Sequence, residues 1–106
     1  MAARRYHLSR RARADLDAIS TYLAERSPGA ARRVLTELRD TFQLLARNPQ
    51  IGTRRDDLYP NVRIFTPSRP ASNYLVFFYP RPDGVEISDV IHAARDCEGM
   101  FARGER

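Results

Sequence analysis

Hydrophobic and polar positions along the chain change their period several times, and each change marks an element. Arg4-Arg5-Tyr6-His7-Leu8 alternates, with Tyr6 and Leu8 on one side and Arg5 and His7 on the other, which predicts a short strand with one wet face. From Arg10 the period lengthens. Ala12, Leu16, Ile19 and Leu23 lie on one face of an amphipathic helix over residues 10–26, capped by Ser9, with Arg13, Asp15 and Asp17 turned outward. Ser27-Pro28 starts a second helix, serine offering the cap oxygen and proline sitting where a missing N–H costs nothing. Ala31, Val34, Leu35, Leu38, Phe42 and Leu45 carry its apolar face, and Asn48-Pro49 stops it. Two such helices joined by a tight turn form an antiparallel hairpin that needs a sheet beneath it.

The second half of the chain supplies that sheet. Residues 50–60 show no period, and Gly52, Asp56, Asp57 and Pro60 mark a surface loop in which Arg54-Arg55-Asp56-Asp57 pairs its charges in solvent. Val62-Arg63-Ile64-Phe65 predicts a short strand with Val62 and Ile64 on one face and Arg63 and Phe65 on the other. Two prolines break residues 66–72. Asn73-Tyr74-Leu75-Val76-Phe77-Phe78-Tyr79 then runs without a charge, so it has to be covered on both faces and belongs at the centre of the sheet. Residues 80–84 reverse the chain, and Val85 to His92 alternates at first and ends apolar, as a last antiparallel strand would. The fold class is therefore α+β: two layers, β-α-α-β-β-β, a helical hairpin packed on an antiparallel sheet.

One domain over residues 1–106 is expected, with 97–106 as a tail or short helix. No apolar stretch is long enough for a membrane span, and the basic start leads into polar residues, so a cytoplasmic protein is expected. Cys97 is alone, and His7 and His92 stand at opposite ends, so no disulfide, metal or cofactor is expected. His7 reads as merely solvated. The net charge is +5, a weak pointer to an acidic partner. All 18 basic residues are arginine; a GC-rich genome produces that bias, and guanidinium forks also suit carboxylates and phosphates. No nucleophile elbow or phosphate loop is present. What remains is a basic and aromatic set near the last strands: Arg63, Tyr74, His92 and Arg95, with Arg69 and Arg81 as further members.

At these residues the chain resembles a family. Tyr6-x-Leu8-Ser9 leading into Ala12-x-x-Asp15-Leu16-x-x-Ile19, Asn48-Pro49-x-x-Gly52, Val62 to Phe65, Tyr74 to Tyr79, and Val85-Glu86-Ile87 running into Ile91-His92-Ala93-Ala94-Arg95-Asp96 resemble the ParE/RelE toxin superfamily of bacterial type II toxin-antitoxin modules, on its ParE side. The resemblance spans residues 4–96. It implies a toxin held inactive by a cognate antitoxin of the ParD kind, acidic and helical, and a target that is DNA gyrase. RelE-like members instead cut mRNA on the ribosome, and only that alternative implies direct nucleic-acid binding or catalysis. Such cleavage needs an acid, a base and fixed positive charge around one phosphate. The chain has no lysine and no tyrosine after Tyr79, and Phe101 in the tail cannot transfer a proton; His92, Arg95 and Arg63 are what a nuclease would have to use. A non-toxic interaction module is the third reading.

The resemblance also carries site residues, each beside a plainer account. Arg63 contacts a carboxylate of target or antitoxin, or pairs with Glu86 or Asp89 across the sheet. Tyr74 is a binding residue or core. His92 belongs to the site, or fixes the tail by a hydrogen bond. Arg95 and Asp96 contact the target, or close the sheet with a local salt bridge.

Overall fold

Serine caps set the helical layer. The structure, a computed structural model, describes residues 4–94. Ser9 accepts from Ala12 N–H at 3.0 Å and begins α1 (Arg10–Arg26). Ser27 closes α1, donating its N–H to Leu23, and opens α2 (Pro28–Arg47) by accepting from Ala30 N–H at 3.2 Å. One residue thus makes the whole hairpin connection. Asn48 ends α2, its N–H reaching the Leu44 and Leu45 carbonyls.

The strands are β1 (Arg5–Leu8), β2 (Thr53–Arg54), β3 (Arg63–Phe65), β4 (Tyr74–Arg81) and β5 (Gly84–His92), in the order β1-β5-β4-β3-β2. The charge-free strand β4 is the middle one, as its composition requires. β5, β4, β3 and β2 are antiparallel neighbours, but β1 runs parallel to β5, pairing Arg5 with Gly84 and Leu8 with Ile87. The sheet is mixed and not purely antiparallel, because alternation encodes which face of a strand is wet and says nothing of its direction. Gly84 is what lets β1 come close: its φ is 146°, and a Cβ there would lie 1.8 Å from the Arg5 carbonyl oxygen.

Both faces of β4 are covered, by different material. Tyr74, Val76 and Phe78 join Val85, Ile87 and Val90 under the helices, against Leu38, Phe42 and Leu45. Phe77 faces away and packs with Val62 and Ile91, with Leu58 and Ile64 beside them. Each such side chain stabilises by about 1.5–3 kcal/mol when fully buried. A bulge at Ser88 makes this possible: Phe77 registers with Asp89 and Phe78 with Ile87, so β5 changes phase and presents Val85, Ile87 and then Val90 to the helices. β4 also runs two residues further than the turn signals imply, through Pro80 and Arg81, leaving only Pro82 and Asp83 as the turn. Pro80 is tolerated because the pairing of β3 with β4 ends at Arg63 opposite Phe78, and no ladder bond is lost on that side.

Three outward-facing expectations change. Asp15 turns in, accepting the Val90 N–H at 2.9 Å, where β5 has outrun β1 and its edge is open. Ser9 Oγ donates to Ser88 O at 2.7 Å and Arg11 reaches buried Asp89 at 3.4 Å, so the start of α1 seals that edge. His7 is exposed but not merely solvated; it meets Asp83 at 3.1 Å. The loop over 50–60 contains β2, too short to show a period, while its charges do pair in solvent, Arg54 with Asp56 at 2.8 Å and Arg55 with Asp57 at 2.7 Å. Among the described residues no helix is long and apolar enough to cross a membrane.

Candidate functional site

The β4–β5 ladder has two ends, and each carries a cleft. At the first end Tyr74 registers with His92, their rings meeting edge to face with centroids 5.5 Å apart. α1 passes beside them. Ile19, Tyr22 and Leu23 of that helix, with Tyr74, Val90 and His92, enclose a groove of about 610 Å³. Tyr22 is 53% exposed, an unusual exposure for a large aromatic on a helix that otherwise buries its apolar face, and the Arg26 guanidinium lies 3.7 Å over its ring. Burial, and secondly the neighbouring Tyr22, push the Tyr74 phenol above its ordinary value, so it stays neutral and its ring is part of the core. His92 is exposed, and its Nδ1 accepts the Ala94 N–H at 3.2 Å, which pins the chain as it leaves the sheet.

At the other end Arg63, Arg54 and Arg81 line a second cleft of about 520 Å³ with Tyr79. Arg81 pairs with Glu86, and Arg54 with Asp56. Arg63 makes neither of the carboxylate pairs expected of it: Glu86 belongs to Arg81, and Asp89 pairs with Arg11. Its Nε donates to the Ile51 carbonyl at 3.0 Å and its Nη2 to that of Gln50, so it holds the chain that follows α2. Burial, then the Asp89 charge, raise the Tyr79 phenol, leaving a donor and not a base.

The structure therefore brings Tyr74 and His92 together and leaves Arg63 apart. Arg63 registers with Phe78, four residues along β4 from Tyr74, or about 13 Å at strand rise. It also lies across β4 from β5. Arg69 lines neither cleft. Arg95 and Asp96 lie outside the described residues, as do Cys97 and Phe101. Three residues of α1 that line the groove were missed. Ile19 and Leu23 read only as core positions, and Tyr22 stands off their stripe, where a large aromatic amid polar neighbours is the one available signal.

A helical hairpin on a mixed sheet, with an apolar groove at one end and an arginine cleft at the other, is a two-layer α+β toxin-like fold. The family model of the ParE toxin of type II toxin-antitoxin systems, parDE, matches residues 6–97, and the chain belongs to that family. It is 39% identical over 93 residues to Toxin ParE1 of Caulobacter vibrioides, an alignment covering 87% of this chain and 92% of that protein. A solved structure described as the chromosomal ParDE TA system from P. aeruginosa shares the fold, with a TM-score of 0.67 at 24% identity over 87% of this chain and 96% of that one.

Proposed function

We propose that this toxin acts by binding DNA gyrase and trapping its cleaved-DNA state, with no chemistry of its own. The observation that carries this is the separation of Arg63 from His92. Cleaving RNA at a phosphate requires acid, base and fixed charge around one group of atoms, within hydrogen-bond reach. A cation on β3 and a histidine at the far end of β5 do not meet that condition. Tyr79, which shares the cleft with Arg63, is a neutral donor. Membership of the ParE family supports the same target.

The neutralising partner is an acidic, largely helical antitoxin of the ParD kind that lies along the groove between α1 and the ends of β4 and β5. Likeness to Toxin ParE1 and to a ParDE system supports a partner of this class. The groove offers Tyr22, Ile19 and Leu23 to the apolar face of a helix, and the +5 charge favours an acidic chain at its rim. Gyrase being a DNA enzyme, the site of action is the cytoplasm.

Purified toxin added to gyrase supercoiling and cleavage reactions should stop supercoiling and accumulate linear DNA, while mRNA in a translating extract stays intact. Untouched supercoiling with degraded mRNA would refute the proposal.

A further inference from the structure

The solvent face of α2 is a row of hydrogen-bond donors. Arg32, Thr36, Arg39, Gln43 and Arg47 follow one another at helical spacing and fall within about 80° of the helix circumference, opposite buried Val34, Leu38 and Leu45. All five are exposed, and no carboxylate interrupts them. Asp40 and Arg33 run along one border of the row, where their charges offset each other, and Glu37 is half-buried beyond them. Four arginines elsewhere are matched by carboxylates: Arg11 by Asp89, Arg54 by Asp56, Arg55 by Asp57 and Arg81 by Glu86. The side chains of Arg32, Arg39 and Arg47 have no hydrogen-bond, ion-pair or ring partner among the described residues. None of the five lines either cleft.

We propose that this face of α2 lies against the phosphate backbone of duplex DNA and holds it without reading its sequence. A protein partner is held through an apolar centre, and this row has none. A phosphate backbone requires only cations and donors. Guanidinium forks match phosphate oxygens, and the Thr36 hydroxyl and Gln43 amide set neutral donors between the charges. At helical rise the row runs about 22 Å from Arg32 to Arg47, or about six phosphate steps along one strand. Arginines at both ends and near the middle therefore give three contact points on that strand. The contact involves no bond making or breaking, and it leaves the groove at Tyr22 open to the antitoxin. That the duplex is DNA rests on the functional reading above, whose target is a DNA enzyme; the demand for a phosphate row comes from the helix itself.

The test is fluorescence anisotropy of a labelled, mixed-sequence DNA duplex of roughly 20 base pairs, titrated with the purified full chain at several salt concentrations. Three phosphate contacts predict that log K falls with log salt at a slope of about −2.7, which is about fortyfold weaker binding at about 200 mM than at about 50 mM. R32Q, R39Q and R47Q should each flatten the slope by about 0.9, and the triple variant should show almost no salt dependence. Glutamine is nearly as good a helix former as arginine, and the single variants decide the matter should the triple one fail to fold. A charge-matched control, R5Q/R10Q/R13Q, removes three exposed arginines outside α2 and should keep the wild-type slope. Unlabelled DNA duplex should displace the probe better than polyglutamate or duplex RNA of the same length. No binding at the lower salt, equal flattening by α2 and control variants, or stronger competition by polyglutamate or RNA would overturn the assignment. Gyrase is absent from this titration, so its outcome is separate from that of the supercoiling assay: a chain that spares gyrase can still bind the duplex, and one that poisons gyrase can still fail to.

Discussion

The two ends of the β4–β5 ladder are built from the same two strands and present opposite surfaces. Where Tyr74 meets His92 the wall is aromatic and aliphatic, completed by a helix face; where Arg81 meets Gly84 it is charged, completed by β3 and the loop after α2. The cause is what covers each end. α1 crosses the first and brings Ile19, Tyr22 and Leu23, so under the proposed function partner affinity there would come from apolar burial. The second lies beyond the helices' apolar stripe, and three guanidinium groups line it beside Tyr79, Pro60 and Pro80, so a partner held there would gain orientation and selectivity more than affinity. A surface that separates these tasks can hold a partner tightly at one end and verify its charge at the other.

The largest expected effect breaks the apolar end. Replacing Tyr22 by glutamate removes an exposed aromatic from the groove and sets a negative charge against an acidic partner, and should cost about 2 kcal/mol or more of antitoxin binding, roughly thirtyfold in Kd. Calorimetric titration with the acidic protein encoded beside the toxin measures it, and because Tyr22 is exposed the thermal midpoint should stay put. Unaltered affinity would remove the groove from the interface.

An intermediate effect sharpens how that end is held in place. Asp15→Ala leaves the Val90 N–H beside the groove without its carboxylate and should destabilise the fold by about 1–3 kcal/mol. Amide hydrogen exchange should accelerate at Val90 and leave Tyr79 and Arg81 protected. Uniform acceleration along β5 would mean that the ends are not independent.

The smallest effect belongs to the charged end and its pH dependence. Asp56 is held below the ordinary 3.8 by the Asn61 N–H and then Arg54, Asp57 by Arg55, and Asp83 by His7. A depressed folded-state value means the unfolded chain binds more protons, so this stability is present above 3.8 and is lost as pH falls through the lower folded values. All three groups are exposed, and the loss is correspondingly slight. Urea midpoints compared between about pH 5 and about pH 3 should fall less in the triple Asp→Asn variant than in the wild type. An equal fall in both would assign the acid sensitivity elsewhere.

Much of this architecture was legible in the chain. Helix limits could be read because Ser9, Ser27, Pro28 and Asn48 are residues whose local hydrogen bonds start or stop helices. The central strand could be read because seven uncharged residues require cover on both sides. The direction of β1 could not, since Tyr6 and Leu8 alternate identically in a parallel and an antiparallel pair. Asp15 looked like any outward carboxylate; its role exists only because β5 outruns β1. The site was half legible. Tyr74 and His92 meet because strand register follows from a two-residue turn, plus a bulge at Ser88 that no local signal announces. Arg63 is half-buried, and its partners are carbonyls, which leave no trace in side-chain composition.

The most direct test of a split surface is the salt dependence of antitoxin affinity, measured calorimetrically between about 0.05 M and about 0.5 M NaCl for the wild type and for R63Q. Affinity of the wild type should fall about tenfold and then level off, carried by the apolar groove, and R63Q should start weaker and show the shallower slope. Complete loss of wild-type binding at the higher salt, or identical slopes for the two proteins, would contradict it.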